Sequence, residues 1–387
     1  MAVIAYIMVL VYYKYLGFII SNFIFAGLGG LSKLTFVMPI GVSFFSFQAI
    51  SYVLDVYRKN ENYERNPVYV MLYITMFPQL ISGPLVRYSQ MAQQLKSRSF
   101  DFERFTEGIR RFIIGLAKKV LIANPLGLLV AEIMKTEIHL VGPSVAWVGI
   151  IAFTLQLYFD FSGYTDMAIG VGKMIGFELP ENFNYPYISR SITEFWRRWH
   201  MTLSGWLRDY VFMPLSLNMR RWRRAGVSLS LLITFTLCGI WHSPGWNFLI
   251  WGAVHGLFLG AEQLFLGKYL SKLKALSIFY TLLIVTTSFV FVCVKDTHQA
   301  LSYLAVMFSP AGIKALGPEA FLGNQHIALI ILGIVLCIPL PEITIFKKKN
   351  LLYAMQVVGL FFLMIIFLLS AMAITSETYN PFLYFKF

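Results

Sequence analysis

Three of the six histidines, His200, His242 and His255, lie within residues 182–256, together with seven of the eight tryptophans and the densest arginine run. A neutral imidazole beside a hydroxyl can serve as a general base near neutral pH. His242 ends the apolar run 226–241, which starts near a basic stretch and places it ~24 Å along a helix axis. Ser243 and Pro244 fit the N-cap and first position of a following helix. On that expectation His242 sits just outside a helix N-terminus, whose positive end favours the neutral ring. An ionisable group at membrane depth is costly and marks function by default. His242 therefore reads as a general base, or else as a buried structural histidine.

Ser191 and Glu194 have capping-box spacing at a helix start. Ile192, Phe195, Trp196, Trp199, Leu203, Trp206, Leu207 and Tyr210 then repeat at steps of three and four, which predicts one amphipathic helix in the plane of the membrane interface. Arg197 and Arg198 flank its stripe, either as a solvated basic face or as contacts for an anionic lipid or acyl donor. His200 lies at the edge of the stripe. It either takes part in catalysis or donor positioning, or is a structural histidine bonded to a backbone carbonyl. His255, thirteen residues after His242, falls about 220° round a helix and ~20 Å along it. That assigns it to packing or to support behind the site. Asp160 and Asp166, six residues apart, are about 240° apart on a helix. They read as interhelical anchors rather than as a paired acid and base.

These residues need elements to hold them, and the composition says which kind. The chain has 387 residues, 58% hydrophobic and 13% charged, with a mean hydropathy of +0.67. Soluble domains carry about 25% charged residues. About ten apolar segments recur, at 1–29, 36–56, 67–87, 107–133, 145–177, 226–241, 245–266, 275–294, 327–343 and 351–374. Such segments suit membrane-spanning helices. The expected fold class is an all-α polytopic membrane protein, one membrane domain over residues 1–387 with its core motifs at 182–256. Pro78, Gly83 and Pro84 interrupt the third segment, giving either a kinked helix or non-helical backbone lining a cavity. The net charge of +13 fits basic cytoplasmic loops in a bilayer rather than nucleic acid. Cys238, Cys293 and Cys337 lack metal or redox spacing and read as small buried hydrophobes.

Four stretches together resemble the membrane-bound O-acyltransferase superfamily in its bacterial branch, which includes alginate O-acetylation and teichoic-acid D-alanylation proteins. They are FPQLISGPLVRY (77–88), FDFSGYTDMAIG (159–170), ENFNYPYISRSITEFWRRWHMTLSGWLRDYVF (181–212) and GIWHSPGWNFLIWGAVHG (239–256). The final FLYFKF resembles the end of the alginate-type members. The resemblance implies a helical body pinched between a cytoplasmic and an outer funnel. It puts the family's catalytic histidine on His242 and its second motif histidine on His200. Two departures stand out. Members usually carry more membrane sequence before the part matching Met1, and Ser243-Pro244 replaces the common small residues after the histidine.

The expected reaction is acyl transfer without a metal, because a histidine, a hydroxyl and a thioester suffice. An acyl thioester, acetyl-CoA or an acyl carrier protein, serves as co-substrate from the cytoplasm, with no bound cofactor. Arg197, Arg198, Trp199, Trp246 and Asn247 are candidates for holding reactants, with His255 and Asp160 behind them. The expected partners are the bilayer, an extracytoplasmic SGNH or esterase-like acetyltransferase and a cytoplasmic donor protein, with a multi-pass location in a bacterial inner membrane. O-acetylation of an exported polysaccharide such as alginate is the first expectation and D-alanyl transfer to teichoic acid the second. A polysaccharide or lipid-linked transporter is the third, though it favours internal repeats, which are not visible. The basic stretches 190–225 and 343–350 are expected to face the cytoplasm. With Arg220→Cys, an impermeant thiol reagent should label the protein only after intact cells are opened. Labelling from outside would reverse this topology.

Overall fold

The computed structural model describes residues 1–23, 39–59, 63–98, 101–310, 316–339, 349–376 and 382–383, with side chains from 356 onward in the last helix. In chain order the helices are α1 (Ala2–Asn22), α2 (Val42–Tyr57), α3 (Pro67–Thr75), α4 (Tyr88–Lys96), α5 (Phe102–Lys135) and α6 (Pro143–Met174). There follow α7 (Ile192–Arg198), α8 (Met201–Leu207), α9 (Arg223–His242), α10 (Trp246–Leu270) and α11 (Lys274–Cys293). The last three are α12 (Thr297–Met307), α13 (Asn324–Leu336) and α14 (Gln356–Ser376).

Among the described residues, seven helices are long and apolar enough to cross a membrane: α1, α5, α6, α9 extended back to Arg220, α10, α11 and α14. The expected spans at 36–56 and 67–87 take other forms. The first is α2, whose 16 residues fall short of the ~20 needed for a bilayer. The second breaks into α3, the single turn Phe77–Leu80 and an extended stretch into Arg87. The break has a local cause. Pro78 opens the short turn, and a side chain on Gly83 would meet the Pro78 carbonyl oxygen at 2.2 Å. The backbone is therefore irregular and largely buried, not a kinked helix. The segment at 327–343 appears as the shorter α13, and the basic run 346–350 lies outside the described side chains.

Lipid gives little hydrophobic drive for helix pairing, so close contact through small residues takes over. Helices α5 and α6 run antiparallel with Gly108 against Gly170 and Gly115 against Gly163. A Cβ on either α5 glycine would lie 2.6 Å from the carbonyl oxygen of its partner. That register fixes the charges between them. Arg111 and Lys118 both reach Asp166, each at 2.6 Å, and Lys119 pairs with Asp160. Both aspartates are interhelical anchors, as their spacing suggested. Pro125 supplies no N–H, and the helix widens to a π turn over Lys118–Ala123 just before it. The α9–α10 hairpin closes in the same manner, with Gly239 on the Phe248 backbone and Gly252 on that of Phe235.

The amphipathic segment after Ser191 is present, but as two short helices rather than one. It runs beside α10. Ile192 and Thr193 meet Glu262 at one end, Trp196 meets His255 midway, and His200 comes to His242 at the closed end of the hairpin. There the chain reverses. Trp199 is extended, and His200 has φ 44 and ψ 53 in the left-handed region. Helix α8 then returns toward Asp209, whose carboxylate pairs with Arg87. The segment is thus a pair of short helices joined at Trp199–His200.

Gly115→Leu should lower the melting temperature of the detergent-extracted protein sharply, because overpacking costs about 1–3 kcal/mol even where neighbours can shift. Gly359→Leu, with nothing within 4 Å of its Cβ position, should leave it unchanged. Equal melting of the two variants would refute the glycine contact.

Candidate active site

His200 is fully buried, and its position depends on neighbouring backbone. The stretch 182–184 runs alongside 198–201: Asn184 N–H donates to the Arg198 carbonyl (2.9 Å) and Met201 N–H to that of Asn182 (2.9 Å). The ring stands edge-on to Phe161 with centroids 4.8 Å apart. Its Nδ1 lies 3.1 Å from the Asn182 side-chain oxygen, while its Nε2 meets no hydrogen-bond partner among the described residues. The alternative of a histidine bonded to a backbone carbonyl does not hold: its partner is a side-chain amide. Thr202 links this cluster to the irregular stretch after Gly83, since its hydroxyl accepts from Leu85 N–H at 2.9 Å.

His242 is the last residue of α9. The Ser243 N-cap and Pro244 start expected from the sequence are not formed. Ser243 is extended and α10 begins at Trp246 with Gly245 before it. A residue preceding proline is pushed out of the helical region, and the following glycine delays the restart. His242 therefore lies at the carbonyl end of α9, not against the N–H end of α10. Its ring centre is 6.5 Å from that of His200, 4.9 Å from Trp241 and 5.3 Å from Trp251. The two histidines come from different elements and converge on one place.

Lys14, the charged residue of α1, donates to the Trp241 carbonyl at 2.6 Å and to Ser43 Oγ at 3.2 Å. It thereby places an ammonium next to the residue preceding His242. Neither Lys14 nor Asn182 was given a role by the sequence motifs. A lone cation in a first apolar segment was the available signal for Lys14.

The other candidates separate. Arg197 is exposed. Arg198 is held by Glu194 at 2.9 Å and by the Asn184 carbonyl at 3.2 Å. Trp199 is 5% exposed and packs among Tyr158, Tyr187, Phe195 and Phe289. Trp246 is exposed beside Phe18 and Asn22 of α1. Asn247 donates to the Val294 carbonyl at 2.5 Å, and its Oδ1 meets no hydrogen-bond partner among the described residues. His255 is bracketed by Trp196 Nε1 at 3.2 Å and Ser288 Oγ at 3.0 Å. Asp160 pairs with Lys119 and accepts from Leu383 N–H at 2.8 Å.

A cavity of about 890 Å³ lies between α5, α6, residues 181–185, α13 and α14. Arg111, Lys118, Asp166 and Glu181 line part of it, and Leu332, Leu336 and Phe362 line another part. Met201 is on its wall, so it reaches the residue next to His200.

Fold and site define a multi-pass membrane protein in which a buried histidine, His200, and a half-buried one, His242, come together from different elements. Residues 59–293 match the model of the membrane-bound O-acyltransferase family. The chain is 36% identical to the probable alginate O-acetylase AlgI of Pseudomonas putida, over 91% of this chain and 75% of that protein. It is 32% identical to the peptidoglycan O-acetyltransferase of Helicobacter pylori, over 81% and 65%. It is 31% identical to the teichoic acid D-alanyltransferase of Bacillus subtilis, over 66% of each. The chain belongs to the membrane-bound O-acyltransferase family and is an O-acyltransferase.

Trp199 fills the aromatic core and Arg197 does not, so Trp199→Arg should strongly reduce the amount of membrane-assembled protein, by burying an unpaired charge. Arg197→Ala should leave it near normal. Equal amounts of both, measured after membrane extraction, would count against this assignment of faces.

Proposed function

We propose that the protein moves an acyl group, most simply acetyl, from a cytoplasmic thioester toward a hydroxyl on the outer side of a bacterial cytoplasmic membrane, for O-acetylation of an exported polysaccharide such as alginate. The observation that carries this is the approach of His200 and His242 to 6.5 Å between ring centres inside the helical body. A hydrogen bond to an imidazole nitrogen spans about 2.8 Å, so one oxygen-bearing group fits between the rings.

In this reaction His242 takes the proton of the attacking hydroxyl. The oxygen attacks the thioester carbonyl carbon, the carbon–sulfur bond breaks, and the proton leaves with the thiol. His200 holds the reactants in register. The large cavity that reaches Met201 is suited to the donor, with apolar walls for an acyl or pantetheine-like arm and polar groups for its amides. Acetyl-CoA and an acyl carrier protein both offer that chemistry. The outer acceptor is either the polymer or an extracytoplasmic SGNH-type acetyltransferase that passes the group on. D-alanyl transfer to teichoic acid is the second reading, favoured by the likeness to the Bacillus subtilis protein.

Removing a general base costs about 10²–10⁴-fold in rate. His242→Gln keeps polarity and much of the volume without basicity. It should abolish ester-linked acyl groups on the exported polymer in a strain lacking the native gene, with protein level unchanged. His255→Ala should act through stability, since that ring bridges Trp196 and Ser288. Near-normal acylation by well-expressed His242→Gln protein would sink the role of His242.

A further inference from the structure

We propose that Asn182 is a positioning residue that fixes His200 as the Nδ1–H tautomer, so that His200 presents an unprotonated Nε2 to the reaction site. The inference rests on the assignment of His200 to the acyl-transfer site and adds to it which nitrogen works there and in what form.

The orientation of Asn182 comes first. Its Oδ1 lies 3.2 Å from Thr202 N and 2.9 Å from Thr202 Oγ1. A backbone N–H can only donate, so the amide atom facing it is the oxygen; the flipped amide would set N–H against N–H. The Thr202 hydroxyl already accepts from Leu85 N–H, which leaves its proton to point at the same oxygen. Asn182 Oδ1 is therefore an acceptor on independent grounds.

His200 Nδ1 stands 3.1 Å from that acceptor, and both residues are fully buried. A bare Nδ1 would bring two lone pairs together without water between them. The contact is favourable only with a proton on Nδ1. In a neutral imidazole the other nitrogen then carries a lone pair. That nitrogen, Nε2, has no partner among the described residues. It lies on a ring whose centre is 6.5 Å from that of His242.

The consequence is specific. A neutral His200 of this tautomer cannot donate to a developing oxyanion. It can only receive a hydrogen bond, and the reacting hydroxyl has one proton, which goes to His242. The partner of His200 is thus a second donor: another hydroxyl of the acceptor or a water held with it.

The test uses the full chain in lipid nanodiscs with ¹⁵N-labelled histidine, the His200 signals being assigned by their loss in His200→Gln. The wild type should show a protonated Nδ1 and a bare Nε2 at His200. Asn182→Leu, similar in size but without an acceptor, should release the tautomer and lower kcat about 10- to 100-fold, the loss seen when metal-bound imidazoles lose their orienting partner, with KM for the donor little changed. Asn182→Asp keeps the acceptor and should keep the tautomer and recover most of kcat. A wild-type His200 protonated on Nε2 overturns the proposal, whatever the variants do. So does Asn182→Leu with an unchanged tautomer and normal kcat. The tautomer is read without turnover, so loss of the His242 role would leave this result standing or falling by itself.

Discussion

A non-helical break inside a bilayer must find partners for every backbone group it frees, because lipid offers none. The reversal at Trp199–His200 depends on meeting that requirement. At the entry of α7, Glu262 accepts from Ile192 N–H, Thr193 N–H and the Thr193 hydroxyl, and the Ser191 side chain accepts from Glu194 N–H. At the apex, residues 182–184 pair with the freed groups of Arg198 and Met201. With both ends satisfied, a histidine can be held in a left-handed conformation at depth. Such a conformation is uncommon for any non-glycine residue and concentrates at functional sites.

The glycine register of α5 and α6 does related work from the other side. It brings two backbones close enough that Lys119, Lys118 and Arg111 neutralise the two carboxylates of α6. Phe161 lies next to Asp160 in sequence and is the residue against which the His200 ring stands. Ionic anchoring on one part of α6 and aromatic support on another thus belong to one rigid helix. The same helix borders the large cavity through Tyr158, Phe159 and Ser162.

Much of this was legible in the sequence. Long apolar runs announced the spanning helices, and the spacing of Asp160 and Asp166 already argued against a shared catalytic face. The residues around His200 and His242 carried the family resemblance. What failed was local backbone behaviour. Helical periodicity continues smoothly from Ile192 to Tyr210, and nothing in it signals a reversal at His200, because the buried stripe is satisfied equally by one helix or by two in a buried hairpin. The Ser243-Pro244 pair looked like a helix start, yet the constraint proline places on Ser243 outweighed the capping preference. Asn182 lies eighteen residues from His200, and only the pairing of two loop segments brings them together. Lys14 is more distant still from Trp241, and no periodicity links them.

The buried polar atoms that meet no hydrogen-bond partner among the described residues bear on what the site can accommodate. Buried polar groups without partners cost about 1–3 kcal/mol each. Several of those here gather around the histidine pair: His200 Nε2, the Asn182 amide nitrogen, and the indole nitrogens of Trp241 and Trp251. Both tryptophan rings contact His242. A packing defect would leave apolar gaps; these are donors and one acceptor of mixed type, held by well-packed aromatic rings. Such a set is matched by a reactant that carries a carbonyl and hydroxyls, since the carbonyl can accept from N–H groups while a hydroxyl donates to the imidazole. That match is what the proposed transfer between a thioester and a hydroxyl asks of the site.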